Sequence, residues 1–141
     1  MTHKKILFIE DDELDVISVQ RSLKKLDIAH LLYTAYNGKE ALDMLNHPDN
    51  PLKPDVILLD LNMPKMNGLE FLKSIRQDAN TKDIKVFVMT TSGESSDRKK
   101  ADEFGVSGYI IKPLSYDDNN KRMDSMDAFV QFHLRKILNE S

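Results

Sequence analysis

Short, uninterrupted apolar runs recur along the chain, separated by longer segments in which apolar residues are spaced three or four positions apart. Four runs are clear, at residues 6–9, 56–59, 86–89 and 109–111, and a weaker one covers 30–34. The four clear runs do not alternate apolar with polar residues. This pattern predicts strands that are buried on both faces, as in a parallel sheet covered by helices.

The segments between the runs predict five helices, because their apolar residues return about once per helical turn. The first follows a cluster of acidic residues, and the second opens at Asn37 and Gly38 and ends at a proline-rich loop, 48–54. The third and fourth cover 68–77 and 95–104, and the fourth should be buried only shallowly. The apolar positions are, in chain order, Leu14, Ile17, Leu23 and Leu26; Ala41, Leu42 and Leu45; Leu69, Leu72 and Ile75; Ala101 and Phe104; and Met123, Met126, Phe129, Val130, Leu134, Ile137 and Leu138.

Strands and helices therefore alternate five times along the chain. Right-handed crossovers turn such an alternation into an α/β fold, a doubly wound parallel sheet with helices on both faces. We expect a five-stranded sheet in the spatial order 2-1-3-4-5. Residues 1–141 are expected to form one domain with no output domain, because 141 residues are enough for one ordinary core.

Composition narrows the classes of partner. The chain is 40% hydrophobic and 30% charged, a mixture typical of globular proteins. Its net charge of -3 provides no basic excess for nucleic-acid phosphates or an anionic membrane surface, and the absence of cysteine excludes disulfides and thiolate metal sites. The first apolar run is too short for a signal peptide or a membrane span. We therefore expect a cytoplasmic protein with no nucleic-acid and no membrane partner.

The residues that can carry chemistry stand directly after the predicted strands. They are Glu10, Asp11 and Asp12 after the first clear run, Asp60 after the second, Thr90, Thr91 and Ser92 after the third, and Lys112 with Pro113 after the fourth. The carboxyl ends of parallel strands share one edge of a sheet, where ligands bind near the point at which the strand order reverses. We therefore expect four chain segments to converge on one site.

Convergence of Glu10, Asp11 and Asp60 would concentrate negative charge, which a divalent cation would offset. Carboxylate oxygens with open water positions suit Mg²⁺. Lys112 and the Thr90 hydroxyl would hold phosphoryl oxygens opposite the metal. Asp60 is the candidate nucleophile, because a carboxylate can form an acyl phosphate. The pattern thus predicts a site that accepts a phosphoryl group.

Each of these residues also has an ordinary structural explanation. Asp12 or Asp60 could cap a helix, the hydroxyl residues after the third run could form a turn, and Lys112 and Tyr109 could be a surface lysine and a strand aromatic. The functional interpretation depends on their joint occurrence at one sheet edge. No histidine follows a strand, so the general base of a hydrolytic triad is missing there. The four histidines are predicted to be surface or packing residues: His3, His30, His47 and His133.

Taken in this order, the residues resemble the response regulator receiver domain over nearly the whole chain. The matching features are the acidic pair Glu10 and Asp11, the D-x-x-M-P-x-x-x-G pattern from Asp60 to Gly68, the threonine position at Thr90, the aromatic position at Tyr109 and the pair Lys112 and Pro113. The resemblance implies a flavodoxin-like receiver fold and a role for each matching residue. The implied roles are phosphoacceptor for Asp60, phosphoryl contacts for Thr90 and Lys112, Mg²⁺ binding for Glu10, Asp11, Asp60 and the Asn62 carbonyl, and switching for Thr90 and Tyr109, with Pro113 following a bond that is commonly cis.

The resemblance further implies a two-component signalling switch rather than an enzyme. A sensor histidine kinase would donate the phosphoryl group to Asp60, the domain would catalyse its own phosphorylation and dephosphorylation, and the changed surface would act on a downstream protein. The acidic first motif, the long loop before Pro54 and the expected lack of an output domain are most similar to single-domain regulators associated with bacterial phytochromes. The polar segment 115–122 departs from the tighter connection of many receivers.

Three alternatives stay open. A pseudo-receiver would bind proteins without phosphate, although such proteins usually lack the acidic pair or the aspartate. A phosphatase of the haloacid-dehalogenase type needs a second carboxylate two residues after the nucleophile, where this chain has Asn62. On the last helix, Phe132 lies off the inward face that Val130, Leu134 and Ile137 define. Together with Phe129 it suggests a homodimer through the surface that Phe132 occupies, whereas core packing is the simpler explanation.

Overall fold

Five parallel strands form one sheet in the computed structural model, which describes residues 3–26, 28–61, 68–90, 95–111, 128–130 and 134–139. The strands are β1 (Lys4–Ile9), β2 (His30–Ala35), β3 (Val56–Asp60), β4 (Lys85–Thr90) and β5 (Gly108–Ile111). The helices are α1 (Glu13–Leu23), α2 (Gly38–Leu45), α3 (Gly68–Arg76), α4 (Ser95–Asp102) and α5 (Arg135–Asn139). The spatial order β2-β1-β3-β4-β5 confirms the predicted topology.

The central strands are buried on both faces, as their continuous apolar runs predict. Every residue of β3 is buried, and β3 pairs with β1 on one side and β4 on the other. Ile6 lies opposite Val56, and Asp60 opposite Met89. This register brings the carboxyl ends of β1, β3 and β4 to one edge of the sheet.

Two hydrophobic clusters, one on each face of the sheet, form the core. Side chains alternate between the faces along each strand, so that Ile6 and Phe8 enter one cluster and Leu7 and Ile9 the other. The first cluster includes buried residues of α1 and of the C-terminal segment, whereas the second includes buried residues of α2, α3 and α4. The predicted placement of helices on both faces is confirmed.

The apolar positions predicted for the first helix are only partly buried. Leu23 and Leu26 are 2% and 7% exposed, as expected, whereas Leu14 and Ile17 are 74% and 56% exposed. The buried positions of α1 itself are Val19, Ser22 and Leu23. Helical periodicity shows that a helix has apolar positions, but it does not show which of them meet the sheet.

The shallow burial predicted for the fourth helix is confirmed. Ala101 is fully buried, whereas Lys99, Lys100 and Asp102 are exposed. Phe129 is 4% exposed and packs edge-on against Phe87, with ring centroids 4.7 Å apart, so it belongs to the core. In the part of the chain that the structure describes, no helix is both long and apolar enough to cross a bilayer.

Arg76, in the last turn of α3, ties together two loops at the amino-terminal end of the sheet. Its guanidinium donates hydrogen bonds to the carbonyl oxygens of Lys82 (2.8 Å), Ile84 (2.9 Å) and Phe104 (2.6 Å) and, more weakly, of Gly105 (3.3 Å). Burial lowers the pKa of this guanidinium, and the Asp83 carboxylate opposes that shift. One side chain therefore fixes the loop before β4 and the loop before β5.

Replacing Arg76 with methionine should lower the free energy of unfolding by about 2 kcal/mol, because four backbone carbonyl oxygens lose a charged donor. Urea denaturation measures the change. Lys73→Met, on the exposed side of the same helix, is the matched control and should change stability by about 0.5 kcal/mol or less. Equal stability of the two variants would contradict the role of Arg76.

Candidate functional site

Three predicted carboxylates meet at the carboxyl-end edge of the sheet. Glu10 and Asp11 follow β1, and Asp60 is the last residue of β3, the strand next to β1. One carboxylate oxygen from each of the three side chains lies within 4.8 Å of the other two. The predicted convergence of the two strand ends is therefore observed.

The burial of these groups is uneven. Glu10 is 1% exposed and Asp60 3% exposed, whereas Asp11 is open to solvent. The Glu10 carboxylate accepts a hydrogen bond from the Asp12 backbone N–H (3.2 Å). The three carboxylates together concentrate oxygen ligands at one point of the sheet edge. The chemistry of the donor set, three carboxylates with one facing water, fits a hard divalent cation such as Mg²⁺ or Mn²⁺.

Asp12 caps α1 and is not one of the three clustered carboxylates. Its carboxylate accepts a hydrogen bond from the Leu14 backbone N–H (2.9 Å) and caps the amino terminus of α1. The capping alternative is therefore confirmed for Asp12. The acidic run therefore contains two members of the carboxylate cluster and one helix cap.

Thr90 occupies the neighbouring strand end. It is the last residue of β4, which pairs with β3, and it is fully buried. The Leu61 backbone N–H donates to the Met89 carbonyl oxygen (3.3 Å), so the pairing continues one residue beyond Asp60. The backbone on either side of Asp60 and Thr90 is thus held by the sheet.

Gly68 allows the chain to return tightly after Asp60. A Cβ atom at this position would lie 2.7 Å from the Leu61 Cα and 2.9 Å from the Asp60 carbonyl oxygen, closer than real Cβ contacts. The Gly68 N–H donates to the Leu61 carbonyl oxygen (3.2 Å), which holds the start of α3 against the residue after β3. The first residue of α3 therefore packs on the backbone of the candidate nucleophile, and only glycine fits there.

Tyr109 of β5 lies against α4. Its hydroxyl is within hydrogen-bond distance of the Asp102 carboxylate and of the Arg98 carbonyl oxygen (2.9 Å), and the Arg98 guanidinium lies 4.4 Å from the ring centroid. Burial, and then the hydrogen bond to Asp102, raise the pKa of Tyr109 to about 12. These partners on α4 were not predicted. In the sequence, Arg98 and Asp102 are indistinguishable from an ordinary surface pair on a charged helix.

Several predicted site residues lie outside the described residues. They are Asn62, Thr91, Ser92, Lys112 and Pro113, together with Phe132, His133 and the segment 115–122. Among the described histidines, His30 donates to the Ile28 carbonyl oxygen (2.8 Å), and His47 accepts from the backbone N–H groups of Asp49 and Asn50. Their hydrogen bonds are local, as expected of surface or packing residues.

A small cavity of about 210 Å³ adjoins the acidic cluster on the side of α1 and β2. Its lining residues are Glu10, Glu13, Val16, Ile17, Thr34 and Tyr36. Tyr36 is 56% exposed, as is Ile17. An exposed apolar rim therefore borders the buried carboxylates.

The chain is similar to known proteins over most of its length. The model of the response regulator receiver domain matches residues 6–124. Response regulator Rcp1 of Synechocystis is 36% identical over 129 residues, which cover 89% of this chain and 88% of Rcp1.

Solved structures are similar over nearly the whole chain. The structure of the Mn²⁺-bound form of Rcp1 has a TM-score of 0.80 at 35% identity. The match covers 92% of this chain and 93% of the Rcp1 chain. A two-component response regulator from Legionella pneumophila has a TM-score of 0.76 at 38% identity, covering 94% and 98%. The phosphorylated cyanobacterial phytochrome response regulator RcpA has a TM-score of 0.76 at 32% identity, covering 96% and 91%.

The hydrogen bonds of Tyr109 should make its contribution to stability depend on pH. The folded-state pKa of about 12 exceeds the ordinary value of 10.0, so the contribution is complete below pH 10 and is lost as the pH rises from 10 to 12. Urea denaturation of wild type and Tyr109→Phe across this range measures it. The difference between the two free energies of unfolding should shrink with rising pH. A difference independent of pH would contradict the assigned contacts.

Proposed function

We propose a phosphorylation-controlled signalling function for this chain, which belongs to the response regulator receiver family. In this proposal Asp60 accepts a phosphoryl group from a sensor histidine kinase, and the product state presents a changed surface to a downstream protein. The observation that carries the proposal is the meeting of the buried Asp60 carboxylate with Glu10 and Asp11. Receivers of this family are signalling switches, generally not enzymes.

The chemical step is an in-line phosphoryl transfer. A carboxylate oxygen of Asp60 attacks the phosphorus atom of a phosphohistidine, a phosphorus–oxygen bond forms, and the phosphorus–nitrogen bond breaks. The electron pair of the broken bond stays on the imidazole nitrogen, the departing imidazole takes up a proton from solvent, and Asp60 becomes an acyl phosphate. The sheet and the Gly68 contact fix the backbone of Asp60, which lowers the cost of aligning it for attack.

Glu10, Asp11 and Asp60, with the Asn62 backbone carbonyl, are the residues that would hold Mg²⁺. The bound ion supplies positive charge beside the transferring phosphoryl oxygens. Lys112 and Thr90 are assigned to those oxygens from the opposite side. Support for Thr90 comes from its burial at the end of β4, next to the strand that carries Asp60.

Switching is assigned to Thr90 and Tyr109. When the Thr90 hydroxyl moves to a phosphoryl oxygen, it vacates space toward which Tyr109 turns, so that β4, β5 and α4 form the surface that changes. The shallow burial of α4 supports this assignment, because a lightly packed helix adjusts at low cost. The Phe132 dimer hypothesis remains a further prediction about the C-terminal helix.

The donor is inferred to be a protein, and the exposed rim supports this. Ile17 and Tyr36 are large side chains, each 56% exposed, that line the cavity beside Glu10. Adjacent exposed apolar side chains are typical of a docking surface. RcpA is described as a phytochrome response regulator, which favours a kinase of the phytochrome type. The proposed location of the reaction is the cytoplasm, where ATP would supply the phosphoryl group of the kinase.

Two other functions fit less well. A pseudo-receiver has no need of a buried nucleophile beside two carboxylates. Titration with Mg²⁺ separates a pseudo-receiver from a phosphorylated receiver, because only the phosphorylated receiver requires the metal. A haloacid-dehalogenase-type phosphatase would need a carboxylate in place of Asn62. The donor set therefore favours phosphorylation without turnover of a substrate.

Asp60→Asn should abolish the acid-labile adduct that the wild type forms with acetyl phosphate and Mg²⁺, because the amide cannot form an acyl phosphate. Phos-tag gels or intact mass spectrometry measure the adduct. The matched control is Asp12→Asn, which should keep it, because asparagine caps a helix as well as aspartate does. An adduct that persists in Asp60→Asn would show that another residue is modified.

Ile17→Ala should slow transfer from a histidine kinase about tenfold while leaving the reaction with acetyl phosphate unchanged, because only the protein donor contacts the rim. The measurement compares kcat/KM for both donors, using the fastest kinase found in a panel. Gln20→Ala, an exposed change further along α1, is the control. Equal slowing with both donors would assign Ile17 to the site itself rather than to docking.

A further inference from the structure

We propose that Arg98 and Asp102 are positioning residues that latch Tyr109 onto α4 in the unphosphorylated protein and thereby set how readily the switch turns. The proposal rests on the proposed function, in which Tyr109 is the switch aromatic. Arg98 and Asp102 are the residues that oppose the movement of Tyr109.

Three contacts hold the Tyr109 ring from one side. The hydroxyl meets the Asp102 carboxylate and, at 2.9 Å, the Arg98 carbonyl oxygen, while the Arg98 guanidinium covers the ring face at 4.4 Å from the centroid. The single hydroxyl proton is shared between two acceptors, and the cation interacts with the ring itself. All of these partners belong to one turn of α4, since Arg98 and Asp102 are four residues apart.

The position of Asp102 is difficult to explain by the stability of α4 alone. It is the last residue of the helix, where the helix dipole disfavours a carboxylate and favours cations such as the nearby Lys99 and Lys100. Its side chain is exposed, so it does not fill the core. The hydroxyl of Tyr109 is the partner that gives this carboxylate a favourable contact.

The latch is one of the contacts that attach α4 to the sheet. Among the side chains of residues 98–102, only Ala101 is fully buried. The contact between Tyr109 and two α4 residues therefore couples the position of the helix to the position of the ring. If the ring turns away, α4 loses this attachment and changes the surface that it presents with β5.

Latching opposes phosphorylation through thermodynamic linkage. If phosphorylation of Asp60 favours the turned ring, then a contact that favours the latched ring disfavours phosphorylation of Asp60. The effect on phosphorylation is at most the factor by which the contact favours the latched ring. Removing the Asp102 contact should therefore raise the population of the turned state before any phosphoryl group arrives.

The test uses the full chain with carbon-13 labelled tyrosine, and Tyr109→Phe identifies the Tyr109 signal. In Asp102→Ala the Tyr109 signal should move toward its position in wild type saturated with beryllofluoride, and the hydroxyl should titrate at a pH below the wild-type value. The reaction with acetyl phosphate should be roughly three- to tenfold faster, the range expected for one partly exposed charged hydrogen bond. Asp102→Asn retains an acceptor and should lie between Asp102→Ala and wild type.

Glu103→Ala is the matched control, because it removes an equal charge from the neighbouring exposed residue. It should leave both the Tyr109 signal and the acetyl phosphate rate at wild-type values. The proposal is overturned if Asp102→Ala leaves the signal and its titration unchanged, or if Glu103→Ala changes them equally. Arg98→Gln, which keeps the backbone carbonyl and removes the cation, should give a smaller change in the same direction, and no change would remove Arg98 from the latch.

Failure of the latch is distinguishable from failure of the proposed function. The tyrosine titration is measured without phosphate, so it tests the latch even in a protein that is never phosphorylated. If wild type forms no adduct with acetyl phosphate, the proposed function fails, whereas the titration still decides whether Asp102 holds Tyr109.

Discussion

The carboxylates of Glu10 and Asp60 are almost fully removed from water, and an oxygen of each lies within 4.8 Å of the other and of Asp11. The pairing of β1 with β3 fixes the two strand ends side by side and so concentrates the three carboxylates at one point. Because oxygen ligands gathered in this way suit a hard divalent cation, this edge of the sheet is suited to a cation and to a group that the cation can stabilise.

The surrounding structure supports that edge through backbone contacts. Gly68 lets α3 begin directly on the Asp60 backbone, and Asp12 starts α1 immediately after the acidic pair. At the other end of the sheet, Arg76 fixes the loops before β4 and β5 through four carbonyl oxygens. The carboxylates at the ends of β1 and β3 are thus each preceded by a buried strand, and the helix that follows begins at a fixed backbone contact.

The fold was predictable because burial on both faces leaves a direct signature in the sequence. A strand that is buried on both faces is apolar along its length, and the residue that breaks the pattern in β3, Asp60, marks the carboxyl end of the strand. The face of α1 was not predictable, because Leu14 and Ile17 have the spacing of core residues but lie in solvent. An apolar position that serves a partner and one that serves the core have the same periodicity, so only tertiary structure separates them.

The candidate site was predictable where topology alone brings residues together, as for Glu10, Asp11 and Asp60. It was not predictable where a contact depends on how a helix lies over the sheet. Arg98 and Asp102 meet Tyr109 only because α4 packs beside β5 at one particular angle, which no local pattern encodes.

This difference has a physical consequence for signalling. The carboxylate cluster lies among strands buried on both faces, where displacement would expose apolar surface. Among the side chains of residues 98–102 of α4, Ala101 is buried, and the contacts with Tyr109 include a hydrogen bond that can exchange with water. Under the proposed function, a change of charge at Asp60 would act between a sheet buried on both faces and a helix with exposed side chains. Movement at α4 and β5 would then cost less than movement of β1 or β3, because it would expose less apolar surface.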